Sequence, residues 1–180
     1  IKLTLYRTSA ESAILRALAG AAERGTEVVV VVELKARFDE APNINWARML
    51  DNSGVHAVFG VEELKTHAKV AMVVRRDPDG VRRYVHIGTG NYNTRTAKIY
   101  TDLGLLTCDS AIAADVSALF NHLTGFSNHY EYKELLVAPD SMRDRLVSLI
   151  DREVEHAEEG RPARIVAKMN SLCDPEIIQG

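Results

Sequence analysis

The sequence predicts an α/β protein with a mixed, largely parallel sheet flanked by helices on both faces. Three observations predict it. Glu27 to Leu34 holds five consecutive valines, an apolar run that a strand carries when both of its faces are covered. Strand-like stretches alternate with segments of helical period along the chain. Asp77-Pro78-Asp79-Gly80 lies between two strand-like runs and has the turn chemistry of a hairpin, so at least one pair is antiparallel.

The elements follow in order. Ile1 to Tyr6 alternates apolar and polar residues and reads as a strand. Thr8 with Glu11 fits a capping box for a helix with the stripe Ile14, Leu15, Leu18 and Ala22, stopped at Gly25. The valine strand comes next. Asn43 is expected to cap a short helix carrying Ile44, Trp46, Ala47 and Leu50, ended by Gly54. Val55 to Phe59 is a strand. Lys65 to Val74 and Arg82 to Ile87 are the two arms of the hairpin. A short strand falls within Tyr100 to Thr107, and Asp109 or Ser110 caps a helix with Ala114, Leu119 and Phe120. Phe126 to Tyr132 reads as a domain connection. Beyond it come a short strand at Leu135 to Val137 and a long amphipathic helix from Pro139-Asp140 to Gly160. A strand-like Arg164 to Asn170 and a helix start at Asp174-Pro175 complete the chain. Leu3 to Ser9 and Val166 to Leu172 echo each other as strand, polar turn and helix start.

Composition narrows the class. The 180 residues are 46 % hydrophobic and 26 % charged, with net charge −3, so no global basic field points to nucleic acid. Cys108 and Cys173 lack metal-ligand spacing and are expected as reduced, buried thiols of a cytoplasmic protein. No apolar run reaches membrane-spanning length, and no signal peptide is expected. The chain opens at Ile1 directly into a strand and stops at Gly180 as a helix begins, so it is expected to be part of a longer protein.

Chemistry concentrates at strand ends. His67 and Lys69 stand two apart, so a strand there would point both to one face, a nucleophile or base beside a fixed positive charge. Arg7 ends the first strand. Glu33, Lys35 and Arg37 sit two apart at the tip of the valine strand, and arginines suit phosphate because the guanidinium forks around two oxygens. The return arm of the hairpin delivers His86 to Gly88-Thr89-Gly90-Asn91, a turn whose backbone N–H groups can approach an oxyanion. Asp39 and Glu40 are weighed as magnesium ligands against a solvated helix start, with the latter favoured.

His67-x-Lys69 followed by Gly88-Thr89-Gly90-Asn91 resembles half of the phospholipase D superfamily signature. That signature wants an aspartate five residues after the lysine, where this chain has Val74. A narrower pattern covers nearly the whole chain. Leu5 to Ser9, Val32 to Glu40, Leu64 to Lys69, His86 to Asn93, Tyr100-Thr101-Asp102, Phe120 to Gly125 and Lys168 to Leu172 together resemble the bacterial polyphosphate kinase family, the type that works through a phosphohistidine.

The resemblance implies a phospholipase D-like fold, with residues 1–130 as most of a first catalytic domain and 131–180 as the start of a second, truncated one. The internal echo would then be a duplication. It implies reversible transfer of the ATP γ-phosphate through His67 to the end of an inorganic polyphosphate chain, with Mg2+ as cofactor. His86 matches an assisting acid or base, with a role in orienting the glycine turn nearly as well supported. Lys69 supplies charge, Asn91 lies in the phosphate-binding turn, and Tyr100 matches a nucleotide-contacting tyrosine. Arg7 and Arg37 match arginines at the phosphate and magnesium site. An arginine does not ligate a cation, so they are expected to hold phosphate oxygens that Mg2+ bridges. ATP, ADP and polyphosphate are the expected partners and nucleic acid is not. The full-length protein is expected to be a cytoplasmic homo-oligomer, with membrane association left open, and this stretch alone to be inactive. The alternatives are a phospholipase D-type phosphodiesterase or nuclease, and a module that only binds polyanions.

Overall fold

Four of the five valines become the most enclosed strand of a sheet that the computed structural model describes over residues 1–6, 12–33, 48–60, 64–127 and 130–179. Its strands are β1 (Lys2–Leu5), β2 (Val29–Val32), β3 (His56–Phe59), β4 (Val70–Asp77), β5 (Gly80–Gly88) and β6 (Gly104–Thr107). Among the described residues they form one sheet in the order β3-β2-β1-β4-β5-β6. Pairs β1–β2 and β2–β3 are parallel, whereas β1–β4, β4–β5 and β5–β6 are antiparallel. The sheet is therefore mixed, as expected, but its parallel part is the smaller. A hairpin turn reverses the chain at Pro78-Asp79, and each strand that follows it without a crossover helix pairs antiparallel.

Helices cover both faces. Helix α1 (Ala13–Glu23) packs Leu15, Leu18 and Ala21 on Leu3, Leu5, Val28, Val30 and Val32. Helix α2 (Ser110–Leu123) lies on the other face, where Met72 sits opposite Lys2. There Ser117 Oγ is 3.5 Å from Met72 Sδ, and Lys2 Nζ donates to Asn121 Oδ1 at 3.4 Å. Helix α2 is capped by Asp109, whose Oδ1 accepts the N–H groups of Ala111 and Ile112, both at 3.0 Å.

Three expectations change. Helix α1 is capped by Ser12, which accepts the Ile14 N–H at 3.2 Å, and the expected cap pair Thr8 and Glu11 lies outside the described residues. Residues 135–137 and 164–170 form no strand. A strand is defined by the ladder it forms with another strand, which local β-propensity does not by itself supply. Both cysteines are free but exposed rather than buried. The turn and helix around Asn43, Ile44, Trp46 and Ala47 lies outside the described residues, while residues 48–52 are helical and Gly54 follows at φ +82°.

The chain divides into two compact units, Ile1–Lys133 and Glu134–Gly180. The second contains α3 (Met142–Glu158) and the short α4 (Pro175–Gln179). Arg143 Nε on α3 donates to Asp174 Oδ2 at 2.8 Å, and Asp174 Oδ1 accepts the N–H groups of Glu176 and Ile177 at the start of α4. Among the described residues no helix is long and apolar enough to cross a membrane.

Candidate functional site

The register brings the chemistry to one edge of the sheet. Strands β1, β2 and β3 end together at Leu5, Val32 and Phe59. Because β4 runs antiparallel to β1, it starts at that edge, and β5 returns to finish there at Gly88, opposite Gly104 where β6 starts. His67 and Lys69, the turn 88–91 and Asp102 therefore all flank the carboxyl edge of the parallel strands, where open α/β sheets collect ligands.

His67 and Lys69 meet, though not as neighbours on a strand, because β4 begins only at Val70. Lys69 Nζ folds back to donate to the His67 carbonyl oxygen at 2.6 Å and stands 2.9 and 3.0 Å from the two ring nitrogens. The lone-pair directions of those nitrogens diverge, so one ammonium cannot align well with both at once, and its charge sits directly against the imidazole. The His67 side of this pair is exposed while Lys69 is buried. Tyr6, just past β1, packs edge-on to His67 with ring centroids 4.7 Å apart. Lys65 Nζ and Lys69 Nζ lie 5.1 and 5.3 Å from the Tyr6 ring centre, within cation–π range. Burial lowers the Lys69 ammonium to about 8; the Asp102 carboxylate opposes this and the Lys65 charge adds to it.

Asp102 is the counter-charge that sequence reading quoted only inside a matching block and gave no role. It comes from the segment before β6, and Thr89 Oγ1 donates to its Oδ1 at 3.1 Å. Thr89 Oγ1 also accepts the Leu103 N–H at 3.0 Å, and the Thr89 N–H donates to the Leu103 carbonyl at 3.0 Å. A methyl group on Gly90 would lie 2.5 Å from Asp102 Cγ, so the glycine makes room for the carboxylate. The second glycine of the turn thus has a steric reason that its spacing alone could not reveal.

His86 has a different set of neighbours. It pairs with Ala71 on β4 and packs its ring over the Gly88–Gly104 pair. A methyl on Gly88 or Gly104 would lie 3.0 Å from Cε1 or 2.9 Å from Nε2. The Tyr92 hydroxyl is 2.7 Å from His86 Nδ1. Burial pushes the Tyr92 phenol up, so the hydroxyl keeps its proton and can donate to Nδ1. This arrangement suits a brace for the glycine turn. Asn91 Oδ1 is buried with no hydrogen-bond partner among the described residues. Tyr100, 54 % exposed, lies between a 3-10 turn at Thr96–Lys98 and β6.

Arg7, Lys35, Arg37, Asp39 and Glu40 lie outside the described residues. Among the described residues no three His, Cys, Asp or Glu side chains converge as metal ligands.

Comparison with known proteins follows the same division of the chain. Residues 1–129 match the family model for polyphosphate kinase C-terminal domain 1, and residues 135–180 match that for C-terminal domain 2. Polyphosphate kinase from Synechocystis sp. is 59 % identical over 179 residues, covering 99 % of this chain and 25 % of that protein. The one from Streptomyces coelicolor is 54 % identical over 178 residues, covering 99 % of this chain and 24 % of that protein. The crystal structure of polyphosphate kinase from Porphyromonas gingivalis superposes with a TM-score of 0.86 at 38 % identity, covering 99 % of this chain and 30 % of that one. The chain spans about a quarter of the length of the curated relatives it matches. With its mixed six-stranded sheet and the phospholipase D-like fold expected from sequence, this chain belongs to the polyphosphate kinase family, within its C-terminal domains.

Proposed function

We propose that this chain is the nucleophile-bearing part of an ATP:polyphosphate phosphotransferase, comprising most of one phospholipase D-like domain and the start of a second. The observation that carries the reading is an exposed imidazole, His67, held against the buried ammonium of Lys69 at 2.9 Å. In the forward direction a His67 ring nitrogen attacks the γ-phosphorus of ATP. The N–P bond forms as the bond to the β-phosphate oxygen breaks, and ADP leaves. The terminal oxygen of a polyphosphate chain then attacks the phosphorus, the N–P bond breaks and the imidazole returns to its neutral form. Such transfer needs in-line positioning and charge stabilisation more than covalent chemistry. Lys69 and Lys65 supply charge beside Tyr6, and Arg7 and Arg37 hold phosphate oxygens. Asn91 brings to the turn a side-chain amide whose NH2 can donate to phosphate, and the exposed ring of Tyr100 offers a stacking surface for the base. His86 orients the turn rather than moving protons, because Tyr92 holds one of its nitrogens and the glycine pair lies against the rest of its ring.

The full-length protein is incubated with γ-labelled ATP. Acid-labile, base-stable label on His67 that is lost in His67→Ala is expected. Diester cleavage without label would overturn the reading in favour of a phosphodiesterase. The isolated 180-residue chain is expected to make no polyphosphate, because it spans only about a quarter of the length of its relatives.

A further inference from the structure

The segment that carries His67 is not part of a strand ladder, yet its backbone is held on both sides by side chains from the parallel strands. The backbone pairing of β1 with β4 stops at Leu3 and Ala71. Thr4 then takes over the ladder with its hydroxyl, which accepts the Val70 N–H at 3.0 Å and donates to the Ala68 carbonyl at 2.8 Å. On the other side of the histidine, the Thr66 N–H donates to Glu33 Oε2 at 2.7 Å. Glu33 directly follows β2, and its own N–H continues the β1–β2 pairing to the Leu5 carbonyl at 3.0 Å. Thr4 is 1 % exposed, Glu33 3 % and Thr66 7 %. The residue before His67 and the residue after it are thus each tied, through a buried polar side chain, to a different strand of the rigid parallel half.

We propose that Glu33 and Thr4 are positioning residues that clamp the backbone on either side of His67 and so set where its imidazole meets phosphate. The inference rests on the proposed function, since it assigns these residues to the aim of that nucleophile. A buried carboxylate and a buried hydroxyl are costly unless paired, and here the backbone they pair with is the peptide on either side of the reacting side chain. Bonds of this kind act through distance: an error of about 1 Å at a reacting atom costs about 100-fold in rate without weakening binding. Gly60 also fits the scheme. Its N–H donates to the Val32 carbonyl at 3.1 Å, and a methyl there would lie 3.7 Å from Glu33 Oε2, so the end of β3 lines the carboxylate's third side.

The test uses the full-length protein. Glu33→Ala and Thr4→Val are expected to slow labelling of His67 by about 10- to 100-fold while leaving the ATP concentration for half-saturation nearly unchanged. Glu33→Gln and Thr4→Ser keep an acceptor and a hydroxyl, and are expected to recover most of the rate. Leu18→Ala in α1 serves as the control, expected to lower stability but not the labelling rate per folded molecule. Labelling at the wild-type rate in Glu33→Ala and Thr4→Val would overturn the inference, as would failure of both conservative variants to restore it. If the wild type takes no label, the proposed function falls, and amide hydrogen exchange then decides on the clamp. Faster exchange at Thr66 and Val70 in Glu33→Ala and Thr4→Val, respectively, supports it, and unchanged exchange overturns it.

Discussion

The two halves of the sheet solve different problems. In the parallel half, the four valines of β2 are all buried, and Leu15 of α1 is fully enclosed against them. In the antiparallel half, the sheet leaves apolar surface open: Leu106 on edge strand β6 is 81 % exposed and Val81 on β5 is 65 % exposed. A strand closed on both faces is a rigid reference, because every side chain is fixed by close packing. A hairpin open on one side is held mainly by its ladder and by side-chain bonds at its ends. The nucleophile sits at the seam between them, on the last few residues before β4, where the rigid half can aim it and substrate can still reach it.

The contrast makes its strongest demand on the core. Leu15→Ala is expected to cost about 2–5 kcal/mol in denaturant unfolding, whereas Leu106→Ala should stay within about 0.5 kcal/mol. Equal losses at both positions would erase the distinction between the halves. At the seam, Lys69→Met is expected to raise the barrier to His67 labelling by about 2.7–4 kcal/mol near pH 7, by analogy with a lost oxyanion donor. The pH dependence has a definite sign. Lys69 titrates at about 8 in the folded protein against 10.5 for an ordinary lysine, so the unfolded chain binds more protons between those values. This group's contribution to stability therefore rises with pH over that window, while its positive charge on phosphate is lost as pH rises through about 8. Lys69→Arg should shift the alkaline fall in labelling to higher pH, and an unshifted limb would remove Lys69 from the charge cluster.

Within the open half, Gly90→Ala drives a methyl into the Asp102 carboxylate and should cost about 1–3 kcal/mol. The same variant should move the Lys69 titration downward, because the carboxylate that opposes its loss of charge is pushed away; titration by NMR reads this directly. The smallest effect belongs to Tyr92→Phe, about 0.5–1.5 kcal/mol for one hydroxyl bond to His86. Imidazole nitrogen shifts should show the His86 tautomer mixing in that variant and unmixed in the wild type.

Much of the frame was readable before any coordinates. The hairpin followed from Asp77-Pro78-Asp79-Gly80, and the observed pairing closes on Asp77 and Gly80 around that turn. The Asp109 cap and the Gly25 stop were readable for the same reason, that each is a local bond or a local φ. The strands expected at 135–137 and 164–170 were not, because pairing depends on a neighbour that the local pattern does not contain. In the site, the spacing of His67 and Lys69 put the two side chains together for a reason that turned out differently: the ammonium folds back on the His67 carbonyl instead of sharing a strand face.

By itself, then, the sequence determined which segments can be strands and helices, where the chain turns, and which residue types stand at the strand ends. Those are properties of a few consecutive residues, set by period, capping and backbone dihedrals. Only the tertiary structure decided that the Asp102 charge acts on Lys69, that Thr89 holds that carboxylate and Gly90 makes room for it, and that Glu33 and Thr4 reach the backbone on either side of His67. Those contacts join residues far apart in the chain, and they exist because antiparallel β4 starts where parallel β1 and β2 end.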